Sequence, residues 1–229
     1  MIVAIDGPAG SGKSTVARTV AQKLGCLYLD SGAIYRALGL ALAGQGIVKE
    51  DEVVFNNLSS ILERLPLSFD VDEGNLIIRL SGRLLTDELR TPEASNLASV
   101  VSQYPEVREF ATKIQRKLAF SGCAVVDGRD AATVVFPDAC LKIFLTASPE
   151  VRAQRRWQEY RRRGQHITFD DVLRDLIERD KRDSSRQCAP MRVAPDAVVI
   201  DTSEMSISEV SDYVLSLVKE YCFGNSIRS

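Results

Sequence analysis

A glycine-rich run near the start of the chain has the residues and spacing of a phosphate-binding loop. The run is Gly7-Pro8-Ala9-Gly10-Ser11-Gly12-Lys13-Ser14-Thr15, which satisfies the pattern G-x-x-x-x-G-K-[ST]. Glycines let the backbone bend tightly and present N–H groups to phosphate oxygens, and the helix that follows directs its positive dipole end at the same anion. We expect Lys13 to reach the β- and γ-phosphates of a nucleotide and the Ser14 hydroxyl to bind Mg²⁺. Motors, switches, transporters and kinases all share this loop, so it predicts nucleotide binding and no more.

Two further polar segments follow short apolar runs that read as strands. Residues 30–36 come after the run 27–29, and residues 127–130 come after the run 124–126. Ligands of an open parallel sheet bind beyond the carboxyl ends of its strands, so both segments fall at the same edge as the phosphate-binding loop. Each segment alone also reads as a helix cap or a charged turn. Their convergence predicts a second substrate beside the nucleotide.

The elements that must position these segments alternate between short apolar runs and longer amphipathic stretches, which predicts βα units around a parallel sheet. Continuous apolar runs predict strands buried on both faces at residues 2–5, 27–29, 124–126, 141–145 and 197–200. Helices are predicted at residues 13–24, 31–43, 105–118, 149–163, 170–181 and 207–221, with a further helix beginning at Thr91-Pro92. Turn residues at 72–75 and 81–82 separate strand-like runs, so a small antiparallel meander is predicted within residues 66–86.

Composition places the chain among ordinary globular proteins, with 229 residues, 45% hydrophobic, 26% charged and a formal net charge of −2. This balance predicts no attraction to nucleic acid or anionic lipid, and no apolar run is long enough to predict a membrane span or a signal peptide. The five cysteines form no C-x-x-C pair, so we expect reduced thiols and a cytoplasmic location. We expect a monomer, because no obvious apolar stripe is left over on the predicted elements. A Ser-His-Asp triad is disfavoured because the chain has one histidine.

Arginines are concentrated in the predicted helix 149–163, where Arg152, Arg155 and Arg156 share one face at i, i+3, i+4 spacing. A solvated helix face is the simplest interpretation of such a run. Beside a phosphate-binding loop, the same run suits a lid that brings positive charge to a transferring phosphoryl group and excludes water. We therefore expect Arg155 or Arg156 to touch the phosphates when the lid is closed.

Along nearly its whole length the sequence resembles the bacterial-type cytidylate kinases. The matching segments are the phosphate-binding loop, Asp30-Ser31-Gly32-Ala33-Ile34-Tyr35-Arg36, residues 77–91, Asp127-Gly128-Arg129-Asp130, Thr133-Val134-Val135-Phe136-Pro137-Asp138-Ala139, residues 142–145 and residues 178–186. The resemblance implies an α/β P-loop nucleoside monophosphate kinase fold: a five-stranded parallel sheet covered by helices on both faces, a small antiparallel β insert and a helical lid. It implies one kinase domain over residues 1–229, with an acceptor-binding lobe at 31–104 that contains the meander 66–86, and a lid at 148–169.

The resemblance also implies transfer of the γ-phosphoryl group of ATP to CMP or dCMP. By position, the residues that would handle the acceptor phosphate are Ser31, Arg36 and Arg129. Those that would read the cytosine edge are Ser99, Arg108, Asp130 and Arg186, and those near the sugar are Arg179 and Asp183. These residue types fit, because cytosine offers one amino donor and two acceptors, and a phosphate dianion pairs with planar guanidinium groups. The loop after Asp130 departs from the family pattern at Ala131-Ala132, as does Ser184-Ser185.

Three alternatives stay open on the residues alone. A kinase for another small acceptor, such as UMP, AMP, GMP or shikimate, would use the same loop. A P-loop nucleotide-binding switch would bind nucleotide and act through partners, although the guanine-reading Asn-Lys-x-Asp signature is missing. A nucleic-acid kinase is disfavoured by the acidic balance and by the lack of an aromatic–basic binding face.

Overall fold

The computed structural model describes residues 1–49, 52–53, 57–120 and 122–224. In chain order the strands are β1 (Ile2–Asp6), β2 (Leu27–Asp30), β3 (Val48–Lys49), β4 (Glu52–Val53), β5 (Leu67–Asp72), β6 (Asn75–Leu80), β7 (Arg83–Leu84), β8 (Ala124–Gly128), β9 (Leu141–Thr146) and β10 (Val198–Asp201). The α-helices are α1 (Lys13–Leu24), α2 (Ser31–Gly44), α3 (Leu58–Arg64), α4 (Pro92–Val101), α5 (Pro105–Ala119), α6 (Pro149–Arg162), α7 (Phe169–Ser185) and α8 (Ile207–Val218). Within the described part of the chain, none of these helices is both long and apolar enough to cross a membrane.

The five strands predicted for the parallel sheet are confirmed, in the order β10-β9-β1-β8-β2. Strand β1 is central, so its consecutive side chains point into two separate apolar layers. Val3 and Ile5 pack on the side of α1 and α8, and Ala4 packs on the side of α2 and α5. Because helices cover both faces, side chains that point either way from these strands are mostly buried and apolar, which explains why the strands read as nearly continuous hydrophobic runs.

The predicted meander is also confirmed, as the antiparallel strands β5, β6 and β7. Its two hairpin turns, Glu73-Gly74 and Ser81-Gly82, have positive φ at both residues, as a two-residue type I′ turn requires. The structure differs from the prediction in one respect: the meander is not separate from the main sheet. Tyr28 of β2 donates its N–H to Gly74 O at 2.9 Å and pairs in parallel with Asn75, which makes one eight-stranded sheet.

The predicted helices are confirmed, with differences at their ends. Thr91 caps α4 by accepting the Ala94 N–H at 3.1 Å. Helix α7 continues to Ser185, beyond its predicted end at residue 181, and this added turn carries Asp183 into the protein interior. The seven-residue helix α3 was not predicted, because it buries only Leu58 and Leu62 and so gives too short an apolar periodicity.

The expectation of reduced thiols is wrong for four of the five cysteines. Cys26 is bonded to Cys123 and Cys140 to Cys222, with Cα–Cα distances of 4.9 and 5.5 Å. The partners are 97 and 82 residues apart, so only tertiary packing brings them together. Cys26, for example, directly precedes β2, and Cys123 directly precedes the adjacent parallel strand β8.

Candidate active site

The phosphate-binding loop turns from β1 into α1 as its sequence predicts, and α1 begins at Lys13. Gly7 has φ 143°, and a Cβ there would lie 2.0 Å from Leu145 O on the neighbouring strand β9. A Cβ at Gly10 would lie 2.8 Å from Arg152 O. No larger residue fits at these two positions, because backbone atoms that cannot move aside already occupy the space.

Lys13 is a buried ammonium group that is bonded to neutral partners. Its Nζ donates to Pro8 O at 2.7 Å and lies 3.5 Å from Ser11 Oγ. Burial and the nearby Arg129 hold the pKa of Lys13 well below its usual range, against the opposing effect of Asp127 and Asp6. A positive charge in this environment gains strongly from an incoming anion.

Asp127 faces the loop from the end of β8 and was missed among the predicted site residues. Its two carboxylate oxygens accept the Ser14 hydroxyl at 2.6 Å and the Tyr28 hydroxyl at 3.2 Å. Burial, followed by repulsion from Asp30, raises the pKa of Asp127 to about 6. A carboxylate and a hydroxyl that face each other are oxygen ligands suited to Mg²⁺. The sequence signal was available, since Asp127 is the first polar residue after a buried strand that neighbours β1.

Asp30 performs two tasks at the end of β2. One carboxylate oxygen accepts the Ala33 N–H at 2.8 Å, which confirms the predicted cap of α2. The other oxygen accepts Arg36 Nη2 at 2.8 Å and so orients that guanidinium group. Ser31, by contrast, is buried, and its hydroxyl donates to Asp127 O at 2.6 Å.

Arg129 and Arg179 meet around Asp183. Arg129 Nε donates to Asp183 Oδ2 at 2.9 Å, and Arg129 Nη1 donates to Gly128 O at 3.2 Å. Burial and the proximity of Arg129 lower the pKa of Arg179 to about 10. Burial would raise the pKa of Asp183, but Arg129, Arg179 and Arg186 hold it below its usual value. Positive charge therefore exceeds negative charge in this part of the site.

A second group of polar side chains lies between α2, α4 and α5. Arg108 forms a buried ion pair with Asp130, and its guanidinium lies 5.4 Å from the centre of the Tyr35 ring. Arg186 Nη1 donates to Ser102 Oγ at 3.3 Å. The following buried polar atoms have no hydrogen-bond partner among the described residues: Ser99 Oγ, Tyr35 Oη, Arg186 Nε and Arg186 Nη2. Buried polar atoms are seldom left unpaired, so this group has the character of a binding surface.

The three arginines predicted to share one lid face have separate environments. Arg152 is buried and donates to Ala9 O at 3.0 Å and to Asp180 at 2.5 Å, so it connects the phosphate-binding loop to α7. Arg155 donates to Thr202 Oγ1 at 3.0 Å and to Thr202 O at 2.6 Å. Arg156 pairs with Glu159 at 3.0 Å and is near enough to help lower the pKa of Arg179.

One cavity of about 1030 Å³ joins most of these groups. Its lining includes nearly all the predicted site residues: Ala9, Gly10, Gly12, Lys13, Ser14, Thr15, Arg36, Ser99, Arg108, Arg129, Asp130, Arg155, Arg156, Arg179, Asp183 and Arg186. The predicted residues buried outside that lining are Gly7, Pro8, Ser11 and Ser31. The predicted convergence of the three strand ends at one edge of the sheet, around one cavity, is therefore observed.

A phosphate-binding loop at the end of the central strand of a parallel sheet, facing a second polar pocket across one cavity, defines a P-loop kinase. The sequence profile described as "Cytidylate kinase" matches residues 3–220. The chain belongs to the cytidylate kinase family.

Several curated relatives cover nearly the same length. The cytidylate kinase of Fervidobacterium nodosum is 48% identical over 220 residues, which are 96% of this chain and 97% of the relative. The cytidylate kinase of Methylococcus capsulatus is 44% identical, with 96% and 97% covered. Among solved structures, an uncharacterized protein from Eubacterium ventriosum superposes with a TM-score of 0.53 at 13% identity, with 96% of this chain and 98% of that chain covered. That last likeness concerns the fold alone.

Proposed function

We propose that this protein transfers the γ-phosphoryl group of ATP to CMP or dCMP, giving ADP and CDP or dCDP. One observation carries the proposal: within a single cavity, Arg129 and Arg179 help burial to lower the pKa of Lys13, and Arg129 helps burial to lower the pKa of Arg179. Such a cluster is costly in the free protein and is relieved by phosphate groups. Two phosphate-bearing substrates that meet there would supply the missing negative charge.

The donor nucleotide would occupy the phosphate-binding loop. Backbone N–H groups and Lys13 would hold the β- and γ-phosphates of ATP. The Ser14 hydroxyl would bind Mg²⁺, and the Asp127 carboxylate, which accepts a hydrogen bond from that hydroxyl, would add negative charge and oxygen atoms to the site. The bound metal ion would disperse charge on the phosphates. The hydrogen bond to Asp127 would fix the orientation of the Ser14 hydroxyl, so that its oxygen could bind the metal ion.

The acceptor would bind on the opposite wall of the cavity. Arg36, which Asp30 orients, and Arg129, which Asp183 orients, would hold the monophosphate. Ser31 is buried outside the cavity lining and donates its hydroxyl to Asp127 O, so it would position the end of β8 and not bind the phosphate directly. The unpaired atoms of Ser99 and Arg186 would bond to the base. The remaining acceptor contacts would come from Arg108 and Asp130 at the cytosine edge and from Arg179 and Asp183 at the sugar.

The transfer step needs no histidine base. An oxygen of the acceptor monophosphate, already anionic, would attack the γ-phosphorus, and the bond from that phosphorus to the β,γ-bridging oxygen would break as ADP leaves. Lys13 and Arg129 would stabilise the charge that spreads over the three equatorial oxygens. In-line placement of the two nucleotides supplies the rest of the rate enhancement.

The lid would complete the site. Arg156 stands nearer the cation cluster than Arg155, whose guanidinium is bonded to Thr202, so Arg156 is the better candidate for the transferred phosphoryl group. We propose residues 148–169 as the lid and residues 31–104 as the acceptor-binding lobe, which would close on each other and exclude water.

The direct test is ADP release from ATP and Mg²⁺ with CMP, dCMP, UMP or AMP as acceptor. We expect CMP and dCMP to give rates well above UMP and AMP, because Asp130 accepts a hydrogen bond from the cytosine amino group and uracil has a carbonyl there. Asp130→Asn should reduce the rate of ADP release with CMP and so narrow the difference between the rates with CMP and with UMP. Nucleotide binding without acceptor-stimulated ADP release would instead favour a P-loop nucleotide-binding switch.

A further inference from the structure

The turn that follows Asp130 is held at its start by a carboxylate from another strand. Asp6, the last residue of β1, accepts the Ala131 N–H at 2.9 Å and the Ala132 N–H at 2.8 Å. Asp6 is only 1% exposed and lies outside the lining of the cavity. Its hydrogen bonds therefore act on the backbone that carries Asp130, and not on a ligand.

The same turn is held at its end by a cation from a helix. Arg116, on α5, donates Nε to Val135 O at 2.9 Å and Nη2 to Val134 O at 3.1 Å. A carboxylate at the free N–H groups and a guanidinium at the free C=O groups match the polarity of a helical turn. We call the five-residue turn Ala131–Val135, together with Asp6 and Arg116, the clamped turn.

The turn has few bonds of its own. Phe136 N donates to Ala131 O at 2.7 Å, and two N–H groups share Asp130 O at 2.9 and 3.2 Å. A single helical turn with so few internal bonds is unstable in isolation, so its shape depends on outside partners. Ala131 and Ala132, the residues that depart from the family pattern, are buried in the apolar core with 1% and 2% exposure.

We propose that Asp6 and Arg116 are positioning residues for the acceptor. They fix the clamped turn, and the clamped turn sets the direction of Asp130 toward the base and of Arg129 toward the phosphates. This inference rests on the proposed function, because it concerns recognition of cytosine. It goes further in assigning the selectivity for cytosine to two side chains that touch neither substrate.

The proposal predicts which parameter changes first. Arg116 has no bond to the phosphate-binding loop, so loosening the turn should leave the donor site intact and disturb the acceptor site. Selectivity depends on whether the Asp130 carboxylate meets an amino group or a carbonyl at one position of the base. The ratio of kcat/KM for CMP to that for UMP should therefore fall more than the KM for ATP changes.

The experiment compares Arg116→Met, Arg116→Lys and the exposed neighbour variant Lys117→Met with the wild-type enzyme. Arg116→Met loses two hydrogen bonds, so we expect the KM for CMP to rise and the CMP-to-UMP ratio to fall by about three- to tenfold. We expect the KM for ATP to change less than about twofold, which is within ordinary scatter for a site not touched. Arg116→Lys, which can still donate to one carbonyl, should recover part of the ratio, and Lys117→Met should match the wild type.

Asp6→Asn is the second arm. Asparagine keeps one acceptor but turns an amide N–H₂ toward the other backbone N–H, so we expect a loss in the CMP-to-UMP ratio of about ten- to a hundredfold. An unchanged ratio of kcat/KM for CMP to that for UMP in both Arg116→Met and Asp6→Asn would overturn the proposed role of the clamped turn, whatever happens to Tm. Equal rises in the KM for CMP and for ATP in Arg116→Met would also overturn it, and the ATP comparison uses that variant because the charge of Asp6 also acts on Lys13. If the wild-type enzyme does not phosphorylate CMP, the proposed function itself is wrong. The positioning role then also fails, but the wild-type assay alone identifies that cause.

Discussion

The two edges of the parallel sheet carry opposite kinds of chemistry. At the carboxyl edge, where β1, β2 and β8 end, buried charges crowd together: the pKa of Lys13 is held well below its usual range by burial, and burial raises that of Asp127 to about 6. At the amino edge, where the same strands and β9 begin, the chain is held together by two disulfide bonds and by the Met1 ammonium, which donates to Gly122 O at 3.1 Å.

This difference indicates where stability and activity reside. Charges that are held in an unfavourable environment reduce the stability of the free protein and become useful when a ligand arrives. Covalent links at the far edge raise stability without touching the cavity. Variants at the carboxyl edge should therefore change turnover and leave Tm unchanged or higher, and variants at the amino edge should do the reverse.

The largest effect is expected at Lys13. Lys13→Met keeps the length of the side chain and removes the charge, so we expect turnover to fall by about 10³- to 10⁵-fold, the scale of losing a cation from the transferring phosphoryl group. Tm should stay level or rise, because burial already disfavours the ammonium. Lys23→Met, on the same helix but exposed and paired with Asp212, is the control and should keep full turnover. Preserved turnover in Lys13→Met, measured by ADP release, would contradict the role of the carboxyl edge.

The disulfide between Cys140 and Cys222 offers the opposite case. Replacing both residues by serine opens a loop of 82 residues, which in the chain-entropy model costs about 4 to 5 kcal/mol of free energy of unfolding. For a chain of this length that corresponds to a fall in Tm of roughly 10 °C or more. Cys188→Ser, at the free thiol, is the stability control and should leave Tm unchanged. The measurement is the Tm of the double variant and of the wild type, each with and without reductant. Turnover of the double variant, measured well below its Tm, should equal that of the wild type.

Asp127 connects the comparison to pH. Its folded pKa of about 6 lies above the ordinary value of 3.8, so the folded state holds the extra proton between these values. The free energy of unfolding therefore falls as pH rises through that window and stays lower above it. Asp127→Asn removes this contribution, so the Tm difference between variant and wild type should favour the variant more at pH 8 than at pH 4.5.

The same variant should lose activity. Without the carboxylate behind Ser14, we expect turnover to fall by about 10- to 100-fold, the usual scale for a group that orients a metal ligand. Asp175→Asn, an exposed position on α7, serves as the control for both measurements. If the Tm difference between Asp127→Asn and the wild type is the same at pH 4.5 and pH 8, burial does not raise the pKa of Asp127.

The smallest effect is expected at the cap of α8, a helix that packs against α1 and contributes Ile207, but not Ser206 or Glu209, to the lining of the cavity. Ser206 and Glu209 form a capping box there, with Glu209 N donating to Ser206 Oγ at 3.3 Å. Ser206→Ala should lower the free energy of unfolding by about 1 kcal/mol, or roughly 2 to 4 °C in Tm. Turnover should not change. A loss of activity comparable to the Asp127 variant would mean that α8 contributes to the site.

Much of the fold could be predicted because its signals are local. The strand at residues 2–5 and the helix at 13–24 follow from continuous and periodic apolar residues, and Thr91 caps α4 as its sequence indicates. Asp30 shows the limit: its capping bond to Ala33 is a local pattern, but its bond to Arg36 across a helical turn gives it a second task that no pattern reports.

The partners of buried side chains were decided only by tertiary structure. Cys26 bonds to Cys123, and Asp6 accepts the Ala131 N–H, because the parallel strands that carry or adjoin them are neighbours in the sheet. These strands are far apart along the chain, so no local pattern reports the contacts. Arg152 and Arg155 look alike on a helical face, yet Arg152 bonds to the phosphate-binding loop and α7 and Arg155 bonds to Thr202 after β10. Arg156, by contrast, has a local partner, Glu159, on the same helix. The sequence determined the elements, the phosphate-binding loop and the kind of chemistry at one sheet edge, because these depend on residues close in the chain. Which charge meets which partner, and with what pKa, depends on burial and on distances in space, and these exist only once the sheet has formed.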